Sequence, residues 1–475
     1  VILRYNGVIL LFNAVFMFFS FLFSLYHNDA GTIPLLLSAV LTALIGAFPL
    51  VFVPKIIDLS GKESYLVVVS SWLLSCLFGM LPFLLYGKDF TLVNAWFESV
   101  SGYTTTGATI LADVESLPKG LLFWRSSTHW IGGIGVVLFV LIILPELGKA
   151  RMALSRVELS TLAKDNFHTR TRSILYIILY VYLGLTLAQT VLLALCGMSL
   201  FDAINHSMAT IATGGFSTKN TSIAHFQSVS IDIVVTVFML FAGTHFGLLF
   251  NTFAFRRKNC FRSQVVQYYV ISIIIGALII SFDLLGEHYA NWGESFRHSI
   301  FQVVSLATTT GFATTDTSVW PAFSIMILIF FSFQCACAGS TGGGIKVDRV
   351  FLFFKSLRRQ IVKLQHPQAV LPVRLNNQPV DDDVIGSILL FIVFYIIIVL
   401  TSSLLLSLQG LDMMTAFSAS LASVSNVGPG FGEVGSMANY FAIPTMSKMI
   451  LSVGMLMGRL EIYGFILLFL FRSWR

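Results

Sequence analysis

The sequence predicts an all-α, polytopic membrane fold. Three observations carry that prediction: charge is scarce, apolar runs long enough to cross a bilayer follow one another along the chain, and one unit recurs four times. Only 11% of the 475 residues are charged and 56% are hydrophobic, with a mean hydropathy of +0.84. A soluble chain carries roughly a quarter of its residues as charges, so most of this surface is made for lipid. The 29 Lys and Arg against 23 Asp and Glu leave a net charge of +6. In a membrane protein that excess marks basic cytoplasmic loops, not a nucleic-acid surface. The five cysteines, Cys76, Cys196, Cys260, Cys335 and Cys337, follow no disulfide or zinc spacing and read as reduced, packed side chains. The first apolar run is too long for a cleavable signal, and no small-residue cleavage site follows it.

A helix needs about 20 apolar residues to cross a hydrocarbon core of about 30 Å. Runs of that size lie at 5–26, 30–54, 64–87, 126–145, 173–201, 233–255, 263–282, 319–345 and 384–411, with a tenth at 442–471 that carries charge in its interior. Ten spans put both termini on one side. The stretches 146–172, 254–264 and 346–383 are rich in Lys and Arg, whereas the alternate loops hold Asp113, Glu115, Asp316 and Glu433. Basic loops stay in the cytoplasm, so both termini are expected there.

Four apolar segments are too short to span: 90–103, 201–213, 295–308 and 412–425. Each follows a full span and runs into a Thr-, Ser- and Gly-rich stretch on the external side. These read SGYTTTGA from Ser101, TIATGGFS from Thr210, ATTTGFAT from Ala307 and VSNVGPGF from Val424. Aligned on Gly107, Gly214, Gly311 and Gly428, the unit recurs about every hundred residues. Parallel repeats in a membrane protein share an axis along the membrane normal. The expected architecture is therefore four parallel repeats of span, pore helix, filter loop and span around a central pore, preceded by two extra N-terminal spans. The divisions fall at 1–62 (the extra spans), 63–150, 151–262, 263–380 and 381–475.

The chemistry of such a unit favours a cation. Non-helical backbone at membrane depth is tolerated only where protein buries it or where it lines a water-filled cavity. A half-spanning helix descending from outside points its partially negative C-terminus at the membrane centre. The returning loop offers carbonyl oxygens in place of hydration water, as K⁺ filters do. Glycine lets the backbone turn where other residues cannot, and threonine hydroxyls add oxygen ligands.

With these segments the sequence resembles the Trk/Ktr/HKT superfamily of K⁺ transporters, and within it the TrkH/TrkG type, over essentially the whole chain. Trp130-Ile131-Gly132-Gly133-Ile134-Gly135, the stretch 339–346 and Gly458-Arg459-Leu460-Glu461 are similar to further family motifs. The two extra N-terminal spans resemble the TrkH type more than the shorter Ktr subunit. The resemblance implies a K⁺ filter at Thr105, Thr106 and Gly107; Ala212, Thr213 and Gly214; Thr309, Thr310 and Gly311; and Asn426, Val427 and Gly428. In this family glycine at all four filter positions goes with K⁺ selectivity. The resemblance also implies a bacterial cytoplasmic-membrane location, a homodimer, a cytoplasmic nucleotide-binding regulatory subunit of the TrkA type, and no organic cofactor in this chain. Departures from the family pattern are His129, His245 and the Asn426-Val427 pair.

Two features are candidates for a gate. Arg459 lies in an apolar run, where a charge costs at least about 2.5 kcal/mol. It either faces the pore or serves as a structural cap or ion-pair partner. Glu461, two residues on, is badly placed to pair with it. The second candidate is Gly339-Ser340-Thr341-Gly342-Gly343-Gly344 with Lys346, where four glycines in six residues should break the span. The resemblance implies an intramembrane loop that occludes the pore; a static kink is the alternative. Ile345 stands where a phosphate-binding loop needs lysine, which excludes nucleotide binding here. Glu98, Asn205 and Gln302 align in the first three short helices as candidate ties to the filter, and His129 and His245 read as interior histidines with satisfied nitrogens. An enzyme is excluded by the lack of a nucleophile elbow, a His-Glu-x-x-His motif or paired aspartates within spans. The reading is channel-like K⁺ uptake, with Na⁺ conduction or H⁺- or Na⁺-coupled transport as the alternative.

Overall fold

A computed structural model describes residues 2–54, 61–143, 171–252, 260–376 and 378–462. The basic loop expected at 146–172 therefore lies almost entirely outside the described residues, as do Arg256, Arg257, Lys258 and the end of the tenth run. The helices are α1 (Ile2–His27), α2 (Thr32–Phe52), α3 (Gly61–Gly79), α4 (Leu81–Tyr86), α5 (Leu92–Tyr103), α6 (Lys119–Ile143), α7 (Thr171–Leu195), α8 (Leu200–Ile211) and α9 (Val229–Ala242). They continue with α10 (Phe246–Phe250), α11 (Gln264–Asp283), α12 (Trp292–Ala307), α13 (Ala322–Gln334), α14 (Val347–Gln365), α15 (Asp382–Ser407), α16 (Met413–Ser425) and α17 (Thr445–Arg459). A two-residue hairpin, Arg374–Leu375 with Gln378–Pro379, is the one strand pair among the described residues.

Six described segments are helical, long and apolar enough to cross a membrane: α1, α2, Leu66–Tyr86, Ile178–Leu195, α11 and α15. Their outward faces present Phe18, Leu44, Phe48, Leu187, Ile271 and Leu400, as helices solvated by lipid should. Between helices the contacts are of the kind lipid demands, small residues and paired polar groups. Gly7 of α1 and Gly46 of α2 meet backbone to backbone. The amide nitrogens of Asn6 and Asn13 in α1 donate to the hydroxyls of Ser70 and Ser75 in α3 at 2.8 and 2.9 Å.

Two expected spans are interrupted. The run at 319–345 is helical only to Gln334, and residues 335–346 are irregular before α14 begins. The run at 233–255, expected to be continuous, breaks at Gly243–His245 between α9 and α10. The cause of this second break is tertiary. The carbonyl of Gly243 accepts from Cys337 N, and Phe246 N donates to the carbonyl of Gly339, so the two interruptions satisfy each other's backbone.

The four short helices α5, α8, α12 and α16 start alike. Thr91, Ser199, Asn291 and Asp412 cap them, each side chain accepting from a first-turn N–H. Asp412 takes two such bonds, from Met414 N at 3.0 Å and Thr415 N at 3.1 Å. Asp412→Ala is expected to cost about 1 kcal/mol, read as a lower thermal unfolding midpoint of the purified protein.

Candidate functional site

The four short helices also end alike, and the ends come together. In α5 the N–H of Thr105 returns to Gly102 O and that of Thr106 to Ser101 O; Thr213 and Gly214 do the same to Thr210 O and Ala209 O, and Thr309 and Thr310 to Leu306 O and Ser305 O. Asn426 and Val427 repeat the pattern to Ser423 O and Ala422 O. This is a Schellman termination, whose C′ position takes a left-handed conformation and is usually glycine. Here it is Thr105, Thr213, Thr309 and Asn426, with φ of +53°, +54°, +58° and +56°. A β-branched residue there is a true outlier. Three in equivalent places mark strain of the kind that collects at functional sites.

Two residues beyond each of these stands a glycine of positive φ, in order of repeat Gly107 (+84°), Gly215 (+81°), Gly311 (+79°) and Gly428 (+98°). A Cβ on Gly107 would strike the carbonyl of Gly214, one on Gly215 that of Thr310, one on Gly311 that of Val427, and one on Gly428 that of Thr106. Each segment thus abuts the next in the order first, second, third, fourth and back to first. That is a closed ring of backbone, and it needs hydrogen in place of a side chain at all four positions.

The ring corrects the expected register of the second segment. Thr213-Gly214-Gly215, not Ala212-Thr213-Gly214, is equivalent to Thr105-Thr106-Gly107. Ala212 corresponds instead to the helix-capping Thr104 and Thr308. The signal that could have fixed the register is the aromatic after the glycine, Gly215-Phe216 beside Gly311-Phe312. By the same shift the equivalent of Glu98 in the second helix is His206, not Asn205.

On the side where the chain leaves the ring, all four glycines line one open pocket, together with Arg125, Ser217, Lys219, Asn220 and Tyr440. The loops that follow the ring are linked in the same cyclic order. Val114 N donates to Asn220 Oδ1, Ala224 N to Ala313 O, Thr317 N to Ser436 Oγ and Tyr440 N to Thr109 O. Behind the ring, polar side chains fix each segment to its own helix. Glu98 accepts from Thr109 Oγ1 and Ile110 N at 2.9 Å each. His206 Nε2 meets Ser217 Oγ at 2.9 Å, Gln302 Nε2 donates to Thr315 O, and Ser418 Oγ joins both N and O of Phe431. His129 is fully engaged, with Nδ1 at 2.7 Å from Gly102 O, Nε2 accepting from Phe216 N and its ring stacked on Phe216. His245 Nδ1 caps α10, and its Nε2 has no partner among the described residues. The hydroxyl of Thr105 and the carbonyl oxygen of the Asn426 side chain are buried without a hydrogen-bond partner among the described residues, two oxygens in equivalent residues left free at the inner edge of the ring.

Directly below lies the irregular stretch 335–346. Thr341 Oγ1 donates to Ile211 O at the end of α8, Gly343 N donates to Thr309 Oγ1, and a Cβ on Gly343 would touch Ser425 O at the end of α16. The loop therefore underlies the second, third and fourth helix ends. Arg459 closes the circuit to the first. Its Nη1 donates to Thr341 O at 2.7 Å and its Nη2 to Gly132 O at 3.2 Å, and Gly132 packs against Tyr103 O at the end of α5. Arg459 is buried, its Nε has no partner among the described residues, and no described carboxylate pairs with it. Glu461 turns away to Arg349 at 3.0 Å and Lys346 at 3.4 Å, tying the far side of the loop to the fourth repeat. Asp348 holds the near side, accepting from Ala338 N at 2.6 Å.

Residues 39–473 match the model of a family described as TrkH, cation transport protein. The chain is 36% identical over 422 residues to the Trk system potassium uptake protein TrkH of Escherichia coli K12, covering 88% of this chain and 87% of that protein. It is 33% identical over 423 residues to TrkG of the same strain, with the same coverage. The crystal structure of the potassium transporter TrkH from Vibrio parahaemolyticus aligns with a TM-score of 0.90 at 33% identity, covering 100% of this chain and 99% of that one. The chain belongs to the TrkH family of cation transport proteins, a family of transporters and not of enzymes.

Proposed function

We propose that the chain takes up K⁺ through a pore built by four parallel repeats, with the ring of segments 105–107, 213–215, 309–311 and 426–428 as its selectivity filter. The observation that carries this is the closed cycle in which each positive-φ glycine abuts the carbonyl of the next repeat. Carbonyls so held, at the converging C-termini of four short helices, present partial negative charge to a dehydrated cation. The names of the relatives, potassium uptake proteins of a Trk system, identify that cation as K⁺.

Passage is channel-like and driven by the membrane potential, which supplies about 2.3 kcal/mol per charge per 100 mV. Coupling to H⁺ or Na⁺ favours a free acid in the path, and both candidate acids are engaged, Glu98 with Arg125 at 2.6 Å and Glu461 with Lys346 and Arg349. The loop 339–344 with Lys346 forms the gate beneath the filter, and Arg459 holds it shut. The repeats divide at 63–150, 151–262, 263–380 and 381–475, after two extra spans in 1–62, for ten spans in all. The protein sits in the bacterial cytoplasmic membrane with both termini inside, as a homodimer in contact with a nucleotide-binding regulatory subunit of the TrkA type.

Expression in a bacterial host stripped of its own K⁺ uptake, together with that subunit, should restore growth at limiting K⁺. A well-expressed chain that leaves growth unchanged would overturn the proposal. The register within the second repeat is tested in the same strain. Gly215→Ala meets a backbone carbonyl at positive φ and should abolish rescue. Gly214→Ala meets first the His129 ring, a side chain and not a backbone carbonyl, and should be partly restored by His129→Ala.

A further inference from the structure

Behind the first filter segment stands a group unlike its counterparts. Glu98 and Arg125 are 0% and 2% exposed and form an ion pair at 2.6 Å. The pair is not confined to one repeat. Glu98 holds Thr109 and Ile110 on the stretch leaving the first filter segment. Arg125 Nη1 donates to Ser217 O at 3.1 Å on the stretch leaving the second, and the guanidinium lies 3.7 Å from the centre of the Phe216 ring. The corresponding ties made by His206, Gln302 and Ser418 carry no carboxylate–guanidinium pair, and their hydrogen bonds reach only their own repeat, although the His206 ring also meets Phe312 of the third. Removing two charges from water is costly, and a well-packed apolar pair of the same size is often as stable. Stability alone therefore gives little reason for an ion pair here. Geometry gives one, since a planar guanidinium with directed donors fixes several acceptors at once.

Resting on the pore reading above, we infer that Arg125, acting through Glu98 and Ser217, is a positioning residue that sets the spacing between the first and second filter segments and thereby the discrimination between K⁺ and smaller cations. Arg125 touches no permeating ion in this scheme. It holds the carbonyl-bearing backbone of two neighbouring segments against one rigid fork. Loss of either partner lets those segments relax toward a geometry that also accommodates Na⁺.

The test is the ratio of Na⁺ to K⁺ flux in liposomes, measured for the wild type, Glu98→Gln, Arg125→Gln and the double variant. Glutamine fits the first site, because Gln302 occupies the equivalent position of the third repeat. Each single variant should raise the ratio about tenfold, the factor carried by one charge-assisted hydrogen bond. The double variant should be no worse than the singles, since both remove one shared interaction. Thermal unfolding of each variant separates loss of fold from loss of selectivity; if a single variant does not fold, the double variant, which leaves no charge unpaired, carries the comparison. A ratio that stays at the wild-type value in folded variants overturns the inference while leaving the pore reading intact. So does a double variant whose effect is the product of the singles. A wild type that passes Na⁺ as readily as K⁺ removes the selectivity reading, and this inference falls with it.

Discussion

Gly107→Ser is expected to reduce the preference for K⁺ over Na⁺ about tenfold or more, a change of about 1.4 kcal/mol in the relative free energies of the two ions in the pore. A side chain at φ +84° carries about 1–2 kcal/mol of backbone strain. Its Cβ also falls on the carbonyl of Gly214, so the ring must open where the first and second segments meet. A control separates the two causes. Gly410 has φ +91°, and a Cβ there would meet nothing within 4 Å. Gly410→Ser therefore introduces the strain outside the ring and should leave the ion preference unchanged. Parallel uptake of Rb⁺ and Na⁺ by the two variants reads the difference.

Arg459→Ala should raise K⁺ flux, by about tenfold if one charged hydrogen bond to the loop dominates the closed state. The guanidinium joins Thr341 O in the loop to Gly132 O in α6, and its charge stands beneath the ring of four backbone segments. Under the gate proposed above, both effects favour the closed state. Arg459→Lys keeps the charge but lacks the fork that spans two carbonyls. Flux close to that of the alanine variant would identify the tether as the dominant element, and flux close to wild type would identify the charge. Shortening the 339–344 loop should raise flux further. Unchanged flux in both Arg459→Ala and the shortened loop would contradict the gate.

The short helices and their glycine-centred loops are legible in the sequence because they repeat, and repetition turns a weak local signal into a strong one. The register of the second segment is less so, because Gly214-Gly215 offers two glycines; the following Phe216, matching Phe312 after Gly311, is the one sequence cue, and the backbone shows which glycine turns. The break at Gly243–His245 is hidden because a single glycine in an apolar run is ordinary; its cause is a loop nearly a hundred residues away. Arg125 is hidden for a similar reason. It sits at the edge of an apolar run, where a basic residue reads as a flank, and its partner Glu98 is 27 residues distant. Spacing alone rules out Glu461 as a partner for Arg459, but its real partners, Lys346 and Arg349, lie across the fold, and sequence spacing says nothing of them. In each case periodicity identifies the element, and tertiary hydrogen bonds decide its detail.

The central claim is that four backbone segments form one cation-selective pore. It is tested most directly by reconstituting the purified protein in K⁺-loaded liposomes and following K⁺, Rb⁺ and Na⁺ flux under an imposed potential, with and without the proposed cytoplasmic regulatory subunit. The account predicts K⁺ and Rb⁺ flux well above Na⁺ flux once the gate is released, whether by the subunit or by Arg459→Ala. Equal passage of Na⁺ and K⁺ through the released protein would contradict it.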